Sequence, residues 1–152
     1  MVTVMTHSHL ASAGDPIVEP MIALARCSKL QRIIVAGSKS VELASELNRR
    51  GYVRVASTAN SGRAAGQYDV ALADWRRRTF KALEATLDWL VDFLGPEGLL
   101  VIWIDPQKPA VRQDLCSGLE RRGFVIEDRA IHEYGSAVSA RRREVNPIPK
   151  AA

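Results

Sequence analysis

The chain has 152 residues, 47% of them hydrophobic and 25% charged, with a formal net charge of +4 and a pI near 9.4. That length suits one domain rather than two, and the composition is that of a folded protein with a sizeable core rather than a disordered chain. No apolar run approaches the roughly 18 residues needed to cross a membrane, and the start "MVTVMTHSHLASAGD" has neither a basic leader nor a continuous apolar segment, so a cytoplasmic protein without a membrane partner is expected.

Residues 1–14 and the tail 146–152, with its two prolines, are expected to be loose, leaving one domain over 15–145. "DPIVEPMIALARCSK" predicts a helix with Asp15 as N-cap and Pro16 at the first position. "RIIVAG" is a continuous apolar run ending in Gly37, as in a strand buried on both faces. "VELASELNRRG" follows as a helix with Val41, Leu43, Ala44 and Leu47 on its apolar side and Gly51 as its C-terminal cap.

"YVRVAS" reads as a second strand, "TANSGRAAGQ" as a loop and "YDVALADW" as a third strand. "FKALEATLDWLVDFL" places Leu83, Leu87, Leu90, Val91 and Leu94 on one helical stripe, ended by "GPEG". "LLVIWID" is the most apolar strand, and "AVRQDLCSGLERRG" the last helix. "FVIEDRAIH" and "AVSARRRE" read as a closing hairpin.

Strands alternating with helices predict an α/β fold: a mostly parallel sheet with helices on both faces and an antiparallel hairpin at one side. The ligand crevice of such a sheet lies beyond the carboxyl ends of its strands. That places Gly37, Ser38, Lys39 and Ser40, with Ser57, Thr58, Asp74 and Trp75, around one crevice, and Asp105 beside it. Asp74 is a candidate base, cofactor contact or helix cap, and Trp75 a stacking platform or a core residue. Lys39 beside a helix start suggests an anion site, although "GSKS" lacks the spacing of a phosphate loop.

The two cysteines, Cys27 and Cys116, show no metal-ligand spacing and are expected to be buried free thiols; no metal is expected. Much of the excess positive charge lies in Arg76–Arg78 and Arg141–Arg143, read as solvated triplets, so a nucleic acid partner is not demanded.

The order of these elements resembles the class I S-adenosylmethionine-dependent methyltransferases. "QYDVALADW" and "LDWLVDFLGPEGLLVIWI" look like that family's fourth strand and its helix–turn–fifth strand segment, and "RRGFVIEDRAIHEYGSAVSARRRE" like its final hairpin. The resemblance covers about 15–144 and implies a Rossmann-like fold, a crevice for S-adenosylmethionine and, in an active member, methyl transfer.

The family's first turn carries an acidic residue followed by G-x-G-x-G. Here Gly37 matches the first glycine, Lys39 and Val41 replace the other two, and Val35 replaces the acid. Lys39 adds a side chain where the backbone would approach a ligand, and Val41 adds two methyls where helix and strand would pack closely. The acid expected near the end of the second strand is replaced by Ser57 and Thr58.

About ten residues separate the second strand from the third. They reach about 34 Å when extended, enough for an extended crossover but not for a helical one. The family's third strand is therefore expected to be missing, and the strand order to be 2-1-4-5-7-6 in the family's numbering.

Three classes follow. The first is a methyltransferase-like binding or assembly module with weak or lost S-adenosylmethionine binding. The second is an active methyltransferase of a small molecule with an atypical cofactor loop. The third is a domain for another nucleotide or anion. A homodimer through the exposed Tyr52–Ser57 edge is a further expectation, with the arginines of "AVSARRRE" discouraging self-pairing at the hairpin side.

Overall fold

The computed structural model describes residues 16–58, 67–132 and 135–143. Asp15, the hairpin turn at 133–134, the "TANSGRAAGQ" loop over 59–66 and both terminal segments fall outside them.

Helix α1, Val18–Ala25, leads into β1, Ile33–Gly37, and α2, Ser40–Arg49. Strands β2, Val55–Ser57, and β3, Tyr68–Asp74, come next, followed by α3, Phe80–Leu90, with a short 3₁₀ turn over Val91–Phe93. Strand β4 spans Leu94–Ile104 and α4 Pro109–Arg121, and the chain closes with β5, Phe124–His132, and β6, Gly135–Arg142.

The six strands form one sheet in the order β2-β1-β3-β4-β6-β5. The four strands from β2 to β4 are parallel, and β6 pairs antiparallel with both β4 and β5. This is the expected order, with β1 lying between β2 and β3.

Alternation along the strands divides the core into two layers. Ile34, Ala36, Ala71, Ala73, Leu100 and Ile102 face α3 and α4, where Leu83, Leu87, Leu90, Leu115 and Leu119 meet them. Ile33, Val35, Val70, Leu72, Val101 and Trp103 face the other way, onto Met21 and Ala25 of α1 and Leu43 and Leu47 of α2. The continuous apolar runs of β1 and β4 are thus strands covered on both faces.

Several expectations are corrected. Helix α1 starts at Val18 with Ile17 as N-cap and no side-chain cap, so Pro20 falls in its first turn, where its missing N–H costs nothing. Strand β2 shrinks from six residues to Val55–Ser57, although the Arg54 carbonyl still accepts from the Ile33 amide at 2.9 Å. The edge expected to pair with a second copy is correspondingly short.

"GPEG" does not precede β4 but bulges out of it. Tyr68 pairs with Leu94 and Val70 with Leu99, so the extra residues loop out, with Glu97 at φ 66°. Val41 is exposed rather than on the apolar side of α2, so its methyls do not crowd β1. "AVSARRRE" does not form an edge: β6 is an inner strand and β5 the outer one. Arg142 points back onto the Val91 and Leu94 carbonyls and Arg141 onto Glu127, so this triplet is not simply solvated.

Candidate functional site

The carboxyl ends of β1, β2, β3 and β4 meet at one end of the sheet, and their loops are laced together. In register, Val35 stands opposite Ser57, Gly37 opposite Asp74, and Asp74 opposite Trp103. The Thr58 amide donates to the Val35 carbonyl at 2.9 Å, and the Ser38 amide to the Asp74 carbonyl at 3.3 Å. Gly37 adopts φ +112°, and a β-carbon there would lie 2.0 Å from the Asp74 carbonyl oxygen. The retained glycine is therefore demanded by the approach of β1 to β3, whether or not a ligand is present.

The polar groups of the crevice are engaged with one another. Ser40, at the first turn of α2, and Ser57 are both buried, and their hydroxyl oxygens lie 2.7 Å apart. Asp74 is 5% exposed. Its carboxylate accepts from Arg76 Nε at 2.8 Å and from Arg76 Nη2 at 2.7 Å, a two-point pair. The Ser38 hydroxyl donates to the Arg76 carbonyl at 3.4 Å, and the Arg77 amide donates to Asp105 Oδ2 at 2.6 Å. Arg77 has a positive φ of 65° in this tight β3–α3 loop.

The structure thus gathers Gly37, Ser38, Ser40, Ser57, Asp74 and Asp105 at one end of the sheet in separate small groups: Ser40 with Ser57, Ser38 with Asp74 and Arg76, and Asp105 with the Arg77 amide. Thr58 joins through its backbone. Lys39 is exposed at the N-cap of α2. Trp75 is not a free stacking platform. It is buried on the α3–α4 face, donates Nε1–H to the Thr79 carbonyl at 2.9 Å, and carries the Arg78 guanidinium 4.4 Å from its ring centre.

Sequence reasoning missed Arg76, which it placed in a solvated triplet. The signal was the Asp-x-Arg spacing, which lets an arginine after a tight turn fold back onto the carboxylate two residues earlier. Val35, where the resemblance would place an acid, is fully buried among the hydrocarbon of the α1–α2 face.

Elsewhere, a pocket of about 330 Å³ opens at the other end of the sheet, bordered by Arg26, Tyr68, Asp69, Glu97 and Arg141. Its cations are neutralised by Glu127, which pairs with Arg26 at 3.1 Å and with Arg141 at 2.7 Å. Hydrogen bonds from Arg141, reinforced by the charges of Arg141, Arg26 and Arg143, hold the Glu127 carboxyl below the usual glutamate range. Cys116 is buried, Cys27 half-buried, and both thiols are free. Burial pushes both above the usual thiol range, so they are poor nucleophiles at neutral pH. Among the described residues no cluster of three or more His, Cys, Asp or Glu could hold a metal ion, and no helix is long and apolar enough to cross a membrane.

No protein-family model matches the sequence, and no curated protein is detectably similar to it. Solved structures do match. The chain is similar to the [4+2]-cyclase SpnF, with a TM-score of 0.68 and 11% identity over 85% of this chain and 80% of that one. It is similar to the ribosomal protein L11 methylase of Lactobacillus delbrueckii subsp. bulgaricus, with a TM-score of 0.64 and 14% identity over 84% and 77%. A third likeness is to the 1,6-didemethyltoxoflavin-N1-methyltransferase of Burkholderia thailandensis, solved with bound S-adenosylhomocysteine, at a TM-score of 0.58 and 14% identity over 93% and 81%.

The chain has the Rossmann-like fold of the class I S-adenosylmethionine-dependent methyltransferases, with six strands and a C-terminal antiparallel hairpin. One of the similar structures is named as a cyclase, so this fold is not confined to proteins named for methyl transfer.

Proposed function

We propose that the crevice takes S-adenosylmethionine weakly or not at all, and that the chain works as a binding or assembly module on a methyltransferase scaffold. The Asp74–Arg76 pair carries this reading. The carboxylate at the end of β3 is the acidic group best placed to hold a polar cofactor, and both its oxygens already accept from Arg76. A ligand must displace that guanidinium and leave a desolvated carboxylate to be paired again. The Ser40–Ser57 contact and the hydrocarbon at Val35 support the same view, since neither supplies a free anionic acceptor for a sugar diol.

A second reading is an active S-adenosylmethionine-dependent methyltransferase of a small molecule with an atypical cofactor loop. The comparisons lean towards this reading, because two of the similar proteins described above are named as methyl-transferring enzymes and one was solved with S-adenosylhomocysteine bound. If the chain is an enzyme, methyl transfer from S-adenosylmethionine is the reaction class that fits its fold.

Thermal unfolding with and without 1 mM S-adenosylhomocysteine separates the two. A site with a Kd near 10 μM adds about 2.7 kcal/mol at that concentration. The module reading expects less than about 1.4 kcal/mol, the value for a Kd of roughly 100 μM. A gain near the larger figure would favour the enzyme.

A further inference from the structure

The net positive charge of this protein is not spread over its surface. The rim loops that follow β1, β3 and β4, together with the first helical turn after each, cover 38–43, 74–83 and 105–112. They hold Lys39, Arg76, Arg77, Arg78, Lys81, Lys108 and Arg112 against the acids Glu42, Asp74 and Asp105. That balance of +4 equals the net charge of the whole chain, so the remaining residues sum to zero. The loops follow three neighbouring parallel strands and therefore crowd into a span of about 10 Å before side-chain reach is added.

The placement runs against local helix electrostatics. A helix start carries a partial positive charge and prefers an acid. Here α2 is N-capped by Lys39 and α4 by Lys108, neither with a side-chain cap, and neither α3 nor α4 has an acid in its first turn. Arg76–Arg78 directly precede the N-cap of α3. Glu42 lies in the first turn of α2 and Thr79 caps α3, but the three helix starts and the cations around them still leave a net positive field that favours an anion. Breaches of local rules gathered at one place are where function is to be sought.

Arg76 is held by Asp74, Arg78 lies on Trp75, and Arg112 donates to the Gln107 carbonyl. Lys39, Arg77, Lys81 and Lys108 are exposed and form no ion pair among the described residues. Four such cations on separate loops suit a chain of phosphates better than a single small anion. A membrane surface fits less well, because it would also call for exposed apolar side chains beside the charges. Among the large exposed apolar residues of the described segments, only Val41 falls on this rim, whereas Leu30, Val53, Trp89, Val125 and Ile131 do not.

We propose that the crevice rim docks the phosphate backbone of a single-stranded nucleic acid through Lys39, Arg77, Lys81 and Lys108. The contact is with the backbone and carries no sequence preference. It does not depend on whether the crevice takes S-adenosylmethionine.

Fluorescence anisotropy with a labelled 12-nucleotide single-stranded RNA of mixed sequence tests this. Saturable binding is expected at 50 mM NaCl. Neutralising three or four phosphates gives a slope of log K against log salt of about −2 to −3. The triple variant Lys39→Gln/Lys81→Gln/Lys108→Gln should weaken binding at least about tenfold. The control Lys29→Gln/Arg32→Gln/Arg121→Gln removes the same charge at the opposite end of the sheet and should weaken it less than about threefold. Circular dichroism confirms that both are folded, and the single variants Lys81→Gln and Lys108→Gln serve if the rim triple is not. Absence of saturable binding, an equal loss in both triples, or rim-dependent binding to anionic vesicles without RNA binding would overturn the proposal.

Discussion

Gly37 and Asp74 stand opposite each other at the ends of β1 and β3, so close that a β-carbon on the glycine would lie 2.0 Å from the Asp74 carbonyl oxygen. The backbone there has φ +112°, which side chains rarely adopt. Gly37→Ala adds both a clash with main-chain atoms and backbone strain. A loss of at least about 2 kcal/mol in urea unfolding is expected, with no ligand added. An unchanged midpoint would mean that the glycine serves a ligand rather than the sheet.

Ser139 sits in β6 opposite Val101, is fully buried, and its hydroxyl has no hydrogen-bond partner among the described residues. A buried hydroxyl without a partner has lost its water and gained nothing. Ser139→Ala should therefore raise stability by about 1 kcal/mol. Thermal or urea unfolding reads the change, and a destabilised variant would reveal a partner for the hydroxyl.

Glu127 links Arg26 of the α1 end to Arg141 of β6, with its carboxyl below the usual glutamate range. For a carboxylate whose folded value is depressed, the stabilisation is complete above the unfolded value of about 4.3 and fades as pH falls through the folded one. Wild type should exceed Glu127→Gln by about 1 kcal/mol at pH 7. The difference should shrink as pH drops below about 4.3. Urea unfolding of both proteins from pH 7 to pH 3 checks it, and a difference independent of pH would contradict the ion-pair account.

Much of the fold was legible because its signals are local and periodic. The double-faced runs of β1 and β4, the leucine stripe of α3 as far as Leu90 and the glycines after the helices each mark their own element, whereas Val91 and Leu94, read onto that stripe, lie in the 3₁₀ turn and at the start of β4. The ten-residue gap before β3, set against the resemblance, pointed to a missing strand, and the described residues form a six-stranded sheet with β1 between β2 and β3. Strand β2 was overread because apolar alternation at Val53 and Val55 does not say how many residues find a partner. Val53 is 69% exposed, and the strand begins only at Val55.

The crevice was legible in position but not in state. Strand ends can be read from a sequence. Whether a side chain such as Arg76 turns out to solvent or back onto Asp74 depends on the loop, and the Arg77 backbone at φ 65° has no glycine to announce it. Trp75 was ambiguous for a similar reason, since only the fold shows its N–H spent on Thr79 and its face covered by Arg78.

The most direct test of the central claim is calorimetric titration of S-adenosylmethionine into the wild type and into Arg76→Ala, side by side. The account predicts no saturable binding tighter than about 100 μM to the wild type, roughly −5.5 kcal/mol. It also predicts tighter binding to Arg76→Ala, because the variant frees the Asp74 carboxylate that Arg76 now occupies. Wild-type binding tighter than about 100 μM, left unchanged by Arg76→Ala, would contradict it and leave the active methyltransferase as the reading to pursue.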